Sequence, residues 1–127
     1  MAYPVGSGSE VLKRTLIHAQ SNDPTAFRWD GTMATVGTET YTVTATHIIT
    51  IVSIVACEQA GTDEDIHLYM HDGTNTHQFL QDQSLPAKST YVWNDRFVLY
   101  GGDKLIVNLS NAGNVDFICS YIDQDWT

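Results

Sequence analysis

The chain has five histidines, the residues best suited to acid–base or metal chemistry near neutral pH. His67, His71 and His77 surround one Asp-Gly turn with Asp72 at its tip. Zinc needs three or four such donors to converge. In a strand, His67 and His71 share a face but stand about 13 Å apart, too far to hold one ion. On a helix the same spacing would suit zinc. The run His67-Leu68-Tyr69-Met70-His71, however, lacks the glutamate of that motif and alternates like a strand. Solvent-exposed histidines are expected here, and His18 and His47 are expected to be structural or interface residues.

The carboxylates give two further candidates. Asp63, Glu64 and Asp65 are consecutive, and calcium uses hard oxygen ligands in loops. The D-x-D-x-D-G spacing is missing, so a solvated charge run is expected. Asp123 and Asp125 lie beside Trp126, and paired acids hydrolyse glycosides when held across a cleft. This close to the carboxyl end they read better as hydrogen-bonding groups of a polar rim. No phosphate-cradling glycine loop and no C-x-x-C occurs, and no motif ties a serine to a histidine and an aspartate. Asn108-Leu109-Ser110 matches a glycosylation sequon but lies within a strand pattern. The expectation is a non-enzymatic protein with no catalytic residue, no cofactor and no metal. A cupin-like metalloprotein is the enzyme alternative. Trp29, Tyr69, Tyr91, Trp93, Tyr100 and Trp126 offer another reading, a sugar-stacking platform, although most alternate with polar neighbours as core aromatics do.

Composition narrows the partners. Six lysines and arginines stand against fifteen acids, a formal charge of −9. A phosphate backbone or an anionic membrane repels such a surface, so no nucleic acid and no membrane partner is expected. No apolar run approaches the roughly 20 residues of a membrane span, and the start lacks the layout of a secretory signal. Cys57 and Cys119 both sit in apolar strand-like runs. Buried free thiols are expected, with a cross-strand disulfide as the alternative.

The elements that must position these residues are short strands. Residues 1–9, with Pro4, Gly6 and Gly8, read as a flexible arm, and residues 10–127 as a single domain. Glu10 to Gln20 reads as a strand, with a short helix as the alternative. Thr25 to Asp30 and Thr38 to Thr44 alternate, with Phe27, Trp29, Tyr41 and Val43 as apolar positions. Ile66, Leu68 and Met70 face inward against His67, Tyr69 and His71 outward, and Asp72-Gly73 opens a hairpin. Later strands are punctuated by Leu85-Pro86-Ala87, Asn94-Asp95, Gly101-Gly102-Asp103 and a hairpin at Asn111–Asn114. About eight to ten strands at this rhythm predict an all-β, antiparallel, jelly-roll-like sandwich.

One strand departs from simple alternation. His47 to Cys57 is apolar on both faces. Ile48, Val52, Ile54 and Ala56 lie on one side, and Ile49, Ile51, Val55 and Cys57 on the other. Ile118 and Ile122 likewise stand opposite Phe117, Cys119 and Tyr121. Side chains of this size gain roughly 1.5–3 kcal/mol each when fully buried. The amino-terminal strand of the same subunit could cover the second face. So could another copy or a docked partner. On the latter reading Ile49, Ile51, Val55, Ile118 and Ile122 form an oligomer or partner interface.

Three segments carry a family likeness: the alternating run from Tyr41 to Cys57, the block from Leu85 to Val107 with its proline turn and Gly-Asp turn, and the closing Phe117 to Trp126. In these the chain resembles the small jelly-roll structural proteins of tailed bacteriophages, of the head decoration or cement and tail-associated kinds. The resemblance implies a non-enzymatic virion component assembled in the host cytoplasm. It implies the major capsid protein or another virion protein as partner, and a homo-oligomer. A tail- or fibre-associated module that binds a receptor or carbohydrate is the alternative it leaves. It implies no catalytic residues.

Overall fold

In the computed structural model the chain is all-β. The structure describes residues 9–20 and 22–125. The expected arm falls almost wholly outside them, and Ser9 already opens the first strand. Nine strands follow in order: β1 (Ser9–Ala19), β2 (Thr25–Ala26), β3 (His47–Glu58), β4 (Glu64–His71), β5 (Thr76–Leu85), β6 (Thr90–Trp93), β7 (Phe97–Tyr100), β8 (Lys104–Leu109) and β9 (Val115–Asp125).

The strands make two antiparallel sheets. One runs β1-β9-β3-β6, with β7 also paired to β3, and the other runs β2-β8-β4-β5. β6 pairs with Ile54–Cys57 and β7 with Ile48–Ile51, so the two lie end to end and act as one interrupted strand. Each sheet then holds four strand positions, in the order of an eight-strand jelly roll. The core fills the space between the sheets with Ile17, Phe27, Ile49, Ile54, Leu68, Leu99, Leu105, Phe117 and Tyr121, among others.

Two linkers differ from the pattern read in the sequence. Asn111–Asn114 is not a hairpin. β8 pairs with β4 and β2, whereas β9 pairs with β1 and β3, so this loop crosses from one sheet to the other. Thr38 to Thr44 forms no strand. It is pinned instead through Val43, which donates its N–H to the Asp103 carbonyl (2.9 Å) and accepts from Gly102 N–H (2.8 Å). Gly101 permits the close approach beside it, since a Cβ there would lie 2.6 Å from the Ala45 backbone.

The two-faced apolar strand resolves at a bulge. β3 pairs Ile51 with Tyr121 and Ser53 with Ser120, leaving Val52 as an extra residue. One added residue exchanges the faces. Ile49 and Ile51 point inward before it, and Ile54 and Ala56 after it. Both apolar sets therefore serve one core.

Candidate functional site

The expected interface divides in two. Ile49 and Ile51 are each 0% exposed and belong to the core, so they are not interface residues. Both pair with strand neighbours whose side chains also point inward, Leu99 and Phe97. Val55, Ile118 and Ile122 do stand on the outer face of the β1-β9-β3-β6 sheet.

There the cross-strand register assembles two largely apolar rows. The first runs Leu12–Ile122–Thr50–Val98 and the second Leu16–Ile118–Val55–Val92. Leu12 is 73% exposed, Val92 52%, Ile118 41% and Val98 41%. The rows are four residues apart along β1, about 13 Å. Between them lies the polar row Arg14–Ser120–Ser53, and Arg96 is exposed at the break between β6 and β7. Beyond Leu16 the edge of β1 meets Met33 through a parallel bridge, and Met33 is itself exposed. Leu16, Met33 and Ile118 line a cleft of about 360 Å³, with His18 and Asp116 at its polar end. The sequence signal for this face was Ile118 and Ile122. Leu12, an apolar anchor of the Glu10–Gln20 strand in the sequence, stands outward instead, and Val92 and Val98 went unmarked because their strands read as ordinary alternation.

The chemistry-bearing residues are engaged structurally. Asp123 is buried. One oxygen bonds Lys13 Nζ (2.9 Å) and the other His47 Nδ1 (2.6 Å), and His47 Nε2 lies 3.6 Å from Asp125. Both oxygens of Asp123 are thus occupied, unlike those of a general acid facing a cleft. Burial, with the Asp123 charge adding to it, pushes the neighbouring Tyr121 phenol up to about 12. His18 pairs with Asp116. Glu64 departs from the expected solvated run: it is buried, and its carboxylate accepts the N–H groups of Asp65 (3.2 Å) and Asn111 (3.1 Å) beneath the β8–β9 crossover. Among the described residues no three His, Cys, Asp or Glu side chains group closely enough for a metal ion.

One arrangement mimics a hydrolase triad. His67 Nε2 lies 2.9 Å from Ser110 Oγ and 3.6 Å from Asp82 Oδ1. His67 Nδ1, however, accepts the backbone N–H of Asp82 at 3.1 Å. In the neutral ring the proton therefore sits on Nε2, which donates to the serine oxygen. A base that activates serine must accept there instead. The trio fixes a side chain and does not generate a nucleophile.

Cys57 and Cys119 are both free. They point to opposite faces, since Cys57 sits opposite Asp116 on the outer side while Cys119 is buried opposite Ile54. The aromatic residues that offered a platform as an alternative reading are dispersed. Trp29 is in the core against Tyr121 (4.9 Å between rings), Tyr69 lies on the other sheet, and Trp93 packs with Phe79 and Phe97 at 5.1 and 6.5 Å. Trp126 lies outside the described residues.

No protein family matches the chain, and no curated protein matches its sequence. Solved structures match in shape. The chain is similar to one from the disulfide-linked pili of Bacillus endospore appendages, with 13% identity over 100% of this chain and 97% of that one and a TM-score of 0.50. It is similar to one from the acid-stable capsid of Helicobacter pylori bacteriophage KHP30, with 11% identity over 93% and 90% and a TM-score of 0.52. At these identities the likeness is one of fold, a β-sandwich of matching extent.

Proposed function

We propose that the chain is a non-enzymatic structural protein of a virion, a capsid decoration or cement protein. It docks through the outer face of the β1-β9-β3-β6 sheet. Its partners are the major capsid protein and further copies of itself. The observation that carries this reading is the pair of exposed apolar rows. Four large aliphatic side chains more than two-fifths exposed lie in two rows on one sheet face, an arrangement that supports an interface there. The face is built on hydrogen-bonded strands, so little ordering entropy opposes docking. Many weak contacts repeated over a shell give high avidity without a strong single site. The shape shared with a phage capsid chain supports the same reading.

A reconstruction of the particle that carries this chain tests the proposal. The face bearing Leu12, Ile118 and Val92 is expected against the shell or a neighbouring copy. A particle in which that face looks to solvent overturns it, as does a chain absent from purified particles.

A further inference from the structure

The opposite sheet carries a groove of different chemistry. It holds about 330 Å³ and is lined by His67, Tyr69, Thr76, Gln78, Gln81 and Asn108. No aspartate, glutamate, lysine or arginine lines it, although the chain has a formal charge of −9. Tyr69 lies at the middle of β4, paired with Gln78 of β5 on one side and Ile106 of β8 on the other. His67 is paired with Asn108 one step along the same face.

The amides reach this face through an irregular strand. Gln78 and Gln81 are three residues apart, and in a regular strand such residues point to opposite faces. In β5 the register slips between Tyr69↔Gln78 and Leu68↔Leu80, which leaves Phe79 as an extra residue. Phe79 turns toward Trp93 and Phe97, and Gln81 comes round to the side of Gln78. A second slip follows between Leu80 and Gln83, where Asp82 takes φ 53, a strained value for a non-glycine residue. That backbone aims the Asp82 N–H at His67 Nδ1 (3.1 Å) and fixes the ring. Bulges re-aim side chains and are over-represented at sheet edges and beside functional sites.

The polar groups that result are unspent. Gln78 and Gln81 are exposed, and their amides bond no other described residue. Asn108 Oδ1 accepts the N–H of Leu109 (2.9 Å), which turns its NH₂ group outward as a donor. Edge strands commonly carry lysine to block pairing. β5 has no lysine or arginine, and three glutamines.

We propose that this groove binds a neutral, hydroxyl-rich saccharide, with the ring of Tyr69 under one sugar face and the amides of Gln78, Gln81 and Asn108 on its hydroxyls. Each glutamine amide presents a donor and an acceptor side by side, the pattern that adjacent hydroxyls complement. The aromatic ring supplies an apolar surface with a polar tip. The site is independent of the docking face, because the two lie on opposite sheets.

The test is titration of the full chain with maltotriose, cellotriose and chitotriose, followed by NMR at backbone amides, with sialyllactose as an anionic control. At least one neutral trisaccharide is expected to give saturable shifts centred on Tyr69, Gln78 and Gln81, with a Kd on the order of 1 mM. The double substitution Gln78→Ala and Gln81→Ala, at exposed positions that spare the core, is expected to weaken binding about tenfold or more. Tyr69→Phe keeps the ring and is expected to bind within about threefold of the parent chain. The proposal is overturned if none of the neutral sugars shifts these amides, if sialyllactose binds as well as they do, or if the double substitution leaves affinity unchanged.

Discussion

Leu16 of β1 and Ile118 of β9 are paired directly across the sheet, and both side chains stand on the side away from the core. Val55 and Val92 extend the same line over β3 and β6. A sandwich needs only one face of each sheet for its core, and this row lies on the other face.

The bulge at Val52 gives a deletion test. Removing Val52 leaves Ile51 inward, Ser53 outward and Ile54 inward, so every remaining side chain keeps its face. That deletion is expected to fold, with a loss inside the roughly 0.5–3 kcal/mol of ordinary substitutions. Removing Val52 and Ser53 together turns Ile54 and Ala56 outward and is expected to abolish folding. Urea denaturation of both variants checks this. Loss of folding in the single deletion contradicts the bulge assignment.

Ile49 and Ile51 are core residues. Ile49→Ala or Ile51→Ala is expected to cost about 2–5 kcal/mol in chemical denaturation. The folded fraction of either variant is expected to associate as the parent chain does.

Acid sensitivity is expected at two carboxylates. Burial works to raise Glu58, but the backbone N–H groups of Lys88 (3.2 Å), Ala60 (2.9 Å) and Gly61 (2.7 Å) outweigh it and hold the carboxyl below its usual 4.5. The N–H of Asn75, the His77 ring and the N–H of Thr74 hold Asp72 well below its usual 3.8. A lowered native value adds stability above the unfolded-state value, and that stability is lost as pH falls through the native one. Asp103, raised mainly by burial, works in the opposite sense. Denaturation midpoints are expected to drop as pH falls from about 4.5 toward the lowered native values. Glu58→Gln is expected to flatten that dependence and to lower the midpoint at pH 7. A parent chain whose midpoint stays constant across the same range contradicts these assignments.

The two thiols are expected to differ. Burial pushes Cys119 far above the ordinary thiol value, whereas Cys57 is half-buried on the outer face. A thiol reagent is expected to label Cys57 alone in the native chain and both cysteines in denaturant, read by mass spectrometry. Equal labelling of Cys119 in the native state contradicts the packing of β9.

Much of the fold was legible because it rests on alternation. Ile66 and Leu68 against His67 and Tyr69 fixed the faces of β4, and the Asp72-Gly73 turn placed its hairpin. What escaped depends on single extra residues and on pairing partners. Nothing in the run Ile51-Val52-Ser53 marks which residue will be left unpaired, so two half-faces of one core read as two opposed apolar faces. Phe79 hid the convergence of Gln78 and Gln81 in the same way. Asn111–Asn114 has hairpin chemistry, yet it crosses between sheets because β9 finds better partners in β1 and β3. Of the candidate interface, Val55, Ile118 and Ile122 were legible as apolar residues on a wet face, whereas Ile49 and Ile51 were misplaced by the bulge.

Sedimentation velocity reads whether the outer face of the β1-β9-β3-β6 sheet is an interface. The parent chain is compared with Leu12→Asp and Ile118→Asp at high micromolar concentration. Both positions are exposed, so each variant is expected to keep its melting temperature within the effect of about 0.5 kcal/mol. A concentration-dependent oligomer is expected for the parent chain and monomers for both variants. A parent chain that stays monomeric, or variants that associate as it does, would contradict the interface.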